Sequence, residues 1–461
     1  MSPHASRRFD VLIVGARCAG SPLATFLNRA GLSVCVVDQA GFPSDTLSTH
    51  MFQASGMEVL QKLDVMDAVL ASGAPPLSTC YMKFEDVDLS GSARLRETDP
   101  DMAMLCVRRI SLDVHLVDKA RDAGVEMRLQ TRVTELIKEN GRVTGARVVG
   151  RDGKTDIIDA DLVVGADGRN STIAHLTGAR RYHVIPSERI SSWAYFRGVP
   201  NQGERKLYYH RLGDDFVVAA PADDDLFLVV VCPSEEFFDA YKADSEGWFN
   251  RAVAGCPPVA DLLVNAKRAT RFRGLKHFEG FFREATGPGW VLVGDSGHFK
   301  DPTPGQGISD ALRQVDKLSA AILRGFSKPD ERDSALRRWW RWRDSDSIQH
   351  YWFCSDIGKR GPVSPARLQL LRRVAENEEL RKDFLDIFIH RKYPRQLFGP
   401  RALATAAARI LRDRVNRSGE LYDVLQVLRE DIDRRIQAWH PRYNEQAAVD
   451  EPHLDYQPSP A

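Results

Sequence analysis

The sequence predicts an α/β protein in which a dinucleotide-binding domain is interrupted by a mainly antiparallel β-sheet domain and is followed by a helical carboxy-terminal region. Three observations lead to this prediction. Apolar runs end in glycine-containing turns at three widely separated places, residues 9–20, 162–171 and 290–307. Between the last two, residues 187–283 alternate as β-strands do, and the residues after 331 show helical periodicity.

The first element joins a strand, a glycine turn, a helix and a second strand. Gly15 and Gly20 follow an apolar run, and a second apolar run ends at the carboxylate of Asp38. Backbone N–H groups at a helix N-terminus hold a pyrophosphate, and an acid about 20 residues further on accepts ribose hydroxyls. Arg17 replaces the central glycine of the usual G-x-G-x-x-G motif, and we expect its side chain to add a cation near the diphosphate. An ordinary tight turn is the alternative interpretation.

Two later strand ends carry acidic residues of the same kind. Asp167 and Gly168 follow one apolar strand, and Gly294 and Asp295 follow another. The Asp295 carboxylate can accept a hydrogen bond from a cofactor hydroxyl, and the turn 305–307 offers N–H donors at a helix N-terminus. Capping of the helix that starts near residue 170 is an alternative role for Asp167.

In this order the three motifs resemble the FAD-dependent group A monooxygenases, the class that includes para-hydroxybenzoate hydroxylase, over about residues 9–323. The resemblance implies a Rossmann-type FAD-binding domain. It also implies that NADPH or NADH acts as a transient reductant of FAD, and that one atom of O₂ reaches a small organic substrate through a flavin C4a-hydroperoxide. Hydroxylation or epoxidation of an aromatic or apolar secondary metabolite is the expected reaction.

The resemblance also assigns cofactor-binding roles by position. An arginine at a helix start meets the flavin diphosphate in this family, which implies that role for Arg109, with Arg108 as the competing choice. The strand that continues to Val133 is expected to pass near the adenine. The expected cofactor-binding residues are Gly15, Arg17, Ala19, Gly20, Asp38, Arg109, Val133, Asp167, Gly168, Gly294, Asp295, Pro302, Gly305, Gln306 and Gly307.

One histidine is a candidate catalytic residue. His50 ends the segment 45–50, which in this fold returns along the flavin ring, and an imidazole can handle a proton in the catalytic cycle. The alternative is that the polar residues of this segment cap a helix at 56–63. His298 matches a family histidine that organises the FAD loop, so we expect no catalytic role for it.

The alternating region predicts the substrate pocket. In the family, a sheet inserted at this place forms the pocket floor, and a short piece at 76–105 is expected to join it. Alternate side chains of a strand face opposite sides, so core packing is the alternative for each candidate. An aromatic pocket suits a flat or apolar substrate. The candidate pocket residues are Trp193, Tyr195, Tyr208, Tyr209 and His210.

The carboxy-terminal part contains a run rich in tryptophan and arginine, residues 337–343. Trp339, Trp340 and Arg343 fall on one stripe at helical spacing, which favours packing against the cofactor domain over binding of nucleic acid or a membrane surface. Residues 441–461 are polar and contain proline, as in a frayed tail. We expect the helical region to cover the substrate pocket.

Composition excludes several classes of function. The 461 residues include 64 Lys plus Arg and 63 Asp plus Glu, a net charge of +1, so the whole chain has no electrostatic attraction for nucleic acid. Seven cysteines without a C-x-x-C pair favour reduced thiols in the cytoplasm over disulfide or metal sites. No window is apolar enough for a membrane span. We expect a cytoplasmic enzyme whose partners are a small-molecule substrate and O₂, with its oligomeric state undetermined.

The motifs divide the chain into seven segments. The FAD-binding domain is expected at 1–75, 106–186 and 286–330, the substrate domain at 76–105 and 187–285, the helical region at 331–440 and the tail at 441–461.

Three other functions share parts of this pattern. Geranylgeranyl-reductase-like proteins resemble the amino-terminal region and reduce double bonds, although the run 304–307 fits the hydroxylases better. Flavin halogenases carry a Trp-x-Trp-x-Ile-Pro signature, whereas Trp340 and Trp342 are here followed by Arg343 and Asp344. A non-catalytic flavin-binding redox sensor is the alternative from a different class.

Overall fold

The computed structural model describes residues 8–46, 48, 50–94, 103–275, 277–412 and 417–444. The strands are β1 (Phe9–Val14), β2 (Val34–Asp38), β3 (Met51–Gln53), β4 (Thr79–Phe84), β5 (Val87–Asp88), β6 (Gly91–Ser92), β7 (Met104–Cys106), β8 (Glu126–Leu129), β9 (Thr131–Glu139), β10 (Arg142–Gly150), β11 (Thr155–Gly165), β12 (Arg181–Pro186), β13 (Ser191–Arg197), β14 (Lys206–Leu212), β15 (Asp215–Pro221), β16 (Phe227–Val231), β17 (Lys267–Arg268), β18 (Arg273–Leu275), β19 (Glu279–Arg283), β20 (Thr286–Gly287), β21 (Trp290–Leu292), β22 (His298–Phe299) and β23 (Tyr443–Asn444).

The helices after residue 331 lie where helical periodicity predicts them, whereas four helices between residues 201 and 263 lie within the region that alternation predicted as β-structure. They are α1 (Gly20–Arg29), α2 (Ala54–Lys62), α3 (Met66–Ala71), α4 (Arg109–Asp122), α5 (Thr172–Thr177), α6 (Asn201–Glu204), α7 (Phe238–Ala243), α8 (Ser245–Ala254), α9 (Pro257–Leu263), α10 (Gly307–Gly325), α11 (Pro329–Gly358), α12 (Pro365–Ala375), α13 (Glu378–Phe388), α14 (Pro394–Leu397), α15 (Pro400–Arg412) and α16 (Arg417–Trp439). Within the described ranges no helix is long and apolar enough to cross a bilayer.

The first sheet carries the glycine turn and both later acidic motifs. Its central strands run in the order β21-β11-β1-β2-β8 and are parallel. Val11 lies opposite Leu162 on one side and Val34 on the other. The buried parts of the central strands, including Leu12, Val36 and Val163, are apolar because both faces of the sheet are covered there. Helices α1, α4 and α10 pack on one face, and the β9–β11 meander packs on the other.

A second sheet stands beside the first. Its strand order is β17-β13-β16-β15-β14-β4-β5, with antiparallel pairs except between β14 and β4. Strand β4, from the early part of the chain, therefore belongs to this sheet. One face packs against α12 and α13, and the other is covered by α7, α8 and α9.

The carboxy-terminal helices join the two sheets. Helix α11 buries Leu336 and Trp339 in the core of the first sheet and Phe353 and Ile357 in the core of the second. Arg343 is fully buried. The arginine- and tryptophan-rich run is therefore a packing surface, as its helical stripe predicts. The α/β class with an inserted, mainly antiparallel sheet and a helical carboxy-terminal region is confirmed.

The start of the predicted tail is wrong. Arg181 pairs with Asn444 and Tyr182 with Tyr443, so β23 adds an edge strand to β12. Tyr443 also contacts the Tyr182 ring, which accounts for order at this position. Residues 445–461 of the expected tail lie outside the described residues.

Candidate functional site

The turn between β1 and α1 leaves no room for side chains. Gly15 has φ +102°, and a Cβ there would lie 2.3 Å from the carbonyl oxygen of Ala166. A Cβ at Gly20 would lie 1.7 Å from the Gly15 carbonyl oxygen. Among the described residues no side chain caps α1, and its first turn has no acidic residue. The positive end of the helix dipole at this uncapped N-terminus therefore suits an anion.

Two arginines share one carboxylate beside this end. Arg17 donates from Nη1 to Asp113 Oδ2 at 2.7 Å, and Arg109 donates from Nε to Asp113 Oδ1 at 2.9 Å. Asp113 is fully buried. Because two guanidinium groups face one carboxylate, these three side chains together carry a charge of +1 beside the N-termini of α1 and α4. Asp113 was not foreseen, although it follows Arg109 at the i+4 spacing of helical ion pairs.

Arg108 and Arg109 point to different parts of the molecule. Arg108 donates from its backbone N–H to Asp223 Oδ1 at 2.8 Å and from Nε to Asp223 Oδ2 at 3.0 Å. It thereby ties the start of α4 to the second sheet. Arg109 lies in the cluster with Arg17 and Asp113, which supports the choice of Arg109 as the diphosphate contact.

Asp38 fastens the glycine turn. Its Oδ2 accepts from the Ala16 N–H at 2.7 Å, and its Oδ1 accepts from the Ala40 N–H at 2.8 Å. Each oxygen keeps a second lone pair, which a ribose hydroxyl would use. Val133, expected near the adenine, lies in the buried cluster behind β2 with Cys35 and Val37.

Asp167 takes the capping role that was its alternative. Its Oδ1 accepts from Ser171 Oγ at 2.6 Å and its Oδ2 from the Ile173 N–H at 3.1 Å, at the start of α5. Burial raises the pKa of this carboxyl. Gly168 has φ +81°, and a Cβ there would meet open space. The Asp-Gly motif is therefore a helix cap followed by an open backbone position.

Asp295 differs from both of these carboxylates. Burial raises its pKa to about 6, while the cations Arg109 and Arg169 lower it. In the part of the chain that the structure describes, no hydrogen bond to its side chain is found. Gly294 before it has φ +67°, and a Cβ there would lie 3.2 Å from the Ala19 Cβ. Asp295 is thus an acceptor without a protein donor, held next to the start of α1.

The third motif forms a turn against β3. The Gly305 N–H donates to the Pro302 carbonyl at 2.8 Å, and the Gly305 carbonyl accepts from Gln53 Nε2 at 2.8 Å. Helix α10 begins at Gly307, where a Cβ would meet open space. Among the described side chains none caps this helix. Gln53 was not foreseen, because its contact joins residues 252 positions apart.

The Gln306 side chain connects this turn to the carboxy-terminal helices. Its Nε2 donates to the carbonyls of Ile387 and Phe388 at 3.1 and 3.0 Å, in the last turn of α13. Its Oε1 accepts from Lys300 Nζ at 2.7 Å. Lys300 also pairs with Asp310 at 2.7 Å, and both side chains are buried. These contacts therefore hold the 302–307 turn against the end of α13.

One face of the second sheet lies against the 302–307 turn. Trp193, Tyr195 and Tyr209 lie in the cluster on this face, and the Tyr209 hydroxyl donates to the Thr303 carbonyl at 3.5 Å. A narrow apolar cavity lies nearby. It is lined by Ser78, Cys80, Met82, Ala93, Met104, Leu207, Leu385, Phe388 and Ile389.

Two predicted pocket residues face the wrong side. Tyr208 lies in the cluster under α7, α8 and α9, and the ring of His210 contacts Tyr81 on that same side. The reason is the alternation of a β-strand, which sends Tyr209 toward the turn and its two neighbours away from it. The assignment of Tyr208 and His210 to the pocket is therefore corrected, and Tyr209 is on the pocket side.

His50 lies between the arginine cluster at the start of α4 and the aromatic face of the second sheet. Its Nδ1 accepts from the Arg109 backbone N–H at 3.3 Å, so a neutral ring carries its hydrogen on Nε2. Its ring centroid lies 6.1 Å from Trp193 and 5.7 Å from Tyr195. Among the described residues, neither His50 Nε2 nor the Tyr195 hydroxyl has a hydrogen-bond partner. Leu47 and Thr49 of the same segment lie outside the described residues.

Burial, reinforced by Arg109, lowers the pKa of His50 to about 3 from an ordinary value of 6.5. The ring is therefore neutral at physiological pH and acts as an N–H donor. This corrects the expectation that it exchanges a proton in the neutral range.

The lowered pKa of His50 predicts that the folded protein loses stability in acid. Between pH 6.5 and 3 the unfolded chain binds a proton at His50 and the folded chain does not, so acid favours unfolding there. From pH 8 to pH 5 the wild type should lose roughly 2 kcal/mol more unfolding free energy than His50→Gln. Urea titrations at both pH values measure the difference. Equal losses in the two proteins would contradict it.

Comparisons with known proteins agree with this geometry. Residues 8–231 match the family model of the FAD binding domain. The 1H-pyrrole-2-carbonyl-(peptidyl-carrier protein) brominase of Pseudoalteromonas luteoviolacea is 24% identical over 363 residues, 75% of this chain and 86% of the relative. The 6-methylpretetramide 4-monooxygenase of Streptomyces rimosus is 26% identical over 331 residues, 70% of this chain and 77% of that enzyme.

A third relative and a solved structure extend the comparison. Protein FixC of Escherichia coli K12 is 30% identical over 314 residues, 62% of this chain and 70% of FixC. The structure of the flavin-dependent brominase Bmp2 superposes with a TM-score of 0.69 at 21% identity, covering 88% of this chain and 99% of that one. At this identity the structural likeness shows the shared fold.

Proposed function

This chain belongs to the FAD-binding family of the group A flavoprotein monooxygenases, and on that premise we propose that it is a monooxygenase that transfers one oxygen atom from O₂ to an apolar or aromatic small molecule. NADPH or NADH is the proposed reductant. One observation carries the proposal: Arg109 joins an anion-binding cluster through its side chain and His50 through its backbone, and His50 touches the aromatic face of the second sheet.

The residues present fit FAD. The open N-terminus of α1 and the net positive pair Arg17 and Arg109 fit the diphosphate. Asp295, which accepts no hydrogen bond from the described residues, fits a hydroxyl of the cofactor. The open N-terminus of α10, at Gly307, favours negative charge and therefore the reduced form of a flavin.

When bound and reduced, FAD supplies the activation of O₂. The protein supplies the environment of that chemistry. The Nε2–H of His50 donates a hydrogen bond to an acceptor atom of the ligand, and the Tyr195 hydroxyl is a second group open to it. The buried face around Trp193 and Tyr209 excludes water, and the Gln306 contacts hold α13 over the turn.

The narrow cavity supports an apolar substrate. Its lining is built from apolar side chains such as Met82, Met104 and Phe388, together with the small polar side chain of Ser78. Aromatic and polarisable side chains of this kind bind flat or hydrophobic molecules. The monooxygenase among the relatives is named for an organic small molecule, 6-methylpretetramide.

The test follows the oxygen atom. The purified protein is loaded with FAD, reduced anaerobically with NADPH or NADH, and mixed with ¹⁸O₂ and a panel of aromatic and apolar compounds, with and without chloride and bromide. The expected product gains one ¹⁸O atom in the absence of halide. A halogenated product would establish halogenation instead. A saturated product formed without O₂ would establish a reductase, and bound FAD without substrate-stimulated NAD(P)H consumption would indicate a sensor.

We predict that His50→Phe slows turnover roughly tenfold, because the ring remains and the Nε2–H donor is lost. His50→Gln keeps an N–H donor and should stay within about threefold of the wild type. Steady-state kinetics at saturating FAD measure both variants. A His50→Phe protein that turns over at the wild-type rate with FAD bound would remove His50 from the mechanism.

We also predict that Gln306→Ala releases more hydrogen peroxide. The variant removes the amide donor from both carbonyls: Ile387 keeps the His390 N–H, whereas Phe388 is left without a donor among the described residues, and the last turn of α13 loosens. The fraction of NAD(P)H that ends as peroxide should rise roughly three- to tenfold, since such an unsatisfied group costs about 1–3 kcal/mol. Gln426→Ala, on the exposed face of α16, is the control. A wild-type peroxide fraction in Gln306→Ala would contradict the role of the contact.

A further inference from the structure

Helix α16 carries an apolar stripe that the rest of the described chain leaves uncovered. Five large side chains on it are 54–84% exposed. Their positions repeat every three and four residues, with Arg429 at the one position of the series that is not apolar. This is the a and d spacing of a helix-pairing seam. The five are Tyr422, Leu425, Ile432, Ile436 and Trp439.

The stripe is exposed because the opposite face of the helix is fixed to the protein. Val424 is buried. Asp423 accepts from the Ala366 N–H at 2.6 Å, and Arg434 donates to Asp356 at 2.7 Å. With 3.6 residues per turn, the stripe lies on the side of α16 away from these contacts. The exposed side chains are therefore presented on a rigid surface.

We propose that this stripe pairs with the same stripe of a second copy of the chain, the two helices running antiparallel about a two-fold axis. The two-fold axis passes midway between Arg429 and Ile432. Tyr422 then lies opposite the partner's Trp439, and Leu425 lies opposite the partner's Ile436. Aromatic residues meet at both ends and aliphatic residues lie inside them. An isologous interface requires this kind of self-complementary order.

Charge selects the antiparallel arrangement. In a parallel pair each Arg429 would face the partner's Arg429. In the antiparallel pair Arg429 faces the partner's Ile432 and lies beside the partner's Asp433. A polar residue within such a seam fixes its register.

The size of the surface is sufficient. Five side chains of this exposure offer roughly 600 Å² on each copy, close to the ~800 Å² per partner of a standard interface. Asp431, Asp433 and Arg435 flank the stripe with both signs of charge. A membrane-binding helix instead has a broad apolar face bordered by cations, so these flanks favour a protein partner.

The first experiment measures mass. Sedimentation velocity of the FAD-loaded full chain should give twice the 51.7 kDa of one chain. Ile432→Glu should raise the dissociation constant at least roughly 30-fold. Val264→Glu, at an apolar residue that is 75% exposed on another surface, should leave it unchanged. A monomeric wild type at tens of micromolar overturns the proposal.

The second experiment tests whether the two α16 helices run antiparallel. All seven native cysteines are buried, so introduced thiols can be cross-linked selectively. The double variant Leu425→Cys/Ile436→Cys should cross-link into a dimer with a short bismaleimide, and Leu425→Cys alone should not. Efficient cross-linking of Leu425→Cys alone would overturn the antiparallel pairing.

Two further measurements distinguish a second copy of the chain from two other possible occupants of the stripe, residues 445–461 and a membrane surface. A chain that ends at Asn444 should remain dimeric; a monomer in the full chain that becomes a dimer on truncation would assign the stripe to residues 445–461. Vesicles of phosphatidylcholine with 30% phosphatidylglycerol should not bind the wild type. Vesicle binding that Ile432→Glu abolishes would replace a second copy by a membrane surface.

Discussion

Replacing Gly15 with alanine should destabilise the protein by about 4 kcal/mol and abolish FAD binding. The φ of +102° alone costs an alanine about 1–2 kcal/mol, and its Cβ would lie 2.3 Å from the Ala166 carbonyl oxygen. That contact is with backbone, so β1 and β11 must move apart. Asp38, which holds the same turn through the Ala16 N–H, would lose its geometry as well. Denaturant unfolding and flavin fluorescence titration measure the two effects.

Gly31 provides a matched control for this variant. It has φ +95°, but a Cβ there would meet nothing within 4 Å. Gly31→Ala should therefore cost about 1–2 kcal/mol, from the backbone alone, and leave FAD affinity unchanged. If Gly15→Ala and Gly31→Ala lose the same stability, or if Gly15→Ala still binds FAD with wild-type affinity, the close approach of β1 and β11 is not what the glycine provides.

The glycine turn could be predicted from the sequence because its requirement is local. A strand, a turn without side chains and a helix follow one another within residues 9–29, and Asp38 closes the unit after one more strand. The same is true of the acidic strand ends, where Asp295 stands directly after an apolar run. Each motif carries its own geometry, so the fold class follows from their order.

The contacts that complete the site are long-range, and the sequence did not predict them. Gln306 reaches Ile387 across 81 positions, and Gln53 reaches Gly305 across 252. Neither pair shares a periodic pattern. The error over Tyr208 and His210 has a different cause. Alternation predicts that neighbouring residues face opposite sides of a strand, but the side that meets the turn is chosen by packing of the whole sheet.

Arg109 is the residue that we expect to contact the FAD diphosphate through its side chain. Arg109→Ala should weaken FAD binding about 100-fold, or about 2.7 kcal/mol. The variant removes one of the two cations held by Asp113 and so cancels the net positive charge beside α1. It also leaves Oδ1 of the fully buried Asp113 with the Cys18 thiol as its donor, and the uncompensated carboxylate charge repels the diphosphate. Fluorescence titration of the apoprotein with FAD gives the dissociation constant.

Two variants test whether the effect belongs to this site. Arg108→Ala removes the guanidinium contact with Asp223 but keeps the backbone N–H bond, and it should cost stability while leaving FAD affinity within about threefold of the wild type. Arg109→Ala/Asp113→Asn removes the freed carboxylate charge and should recover part of the lost affinity, since the remaining Arg17 then faces the diphosphate without a competing anion. Wild-type affinity in Arg109→Ala, or an equal loss in Arg108→Ala, would show that the diphosphate lies elsewhere.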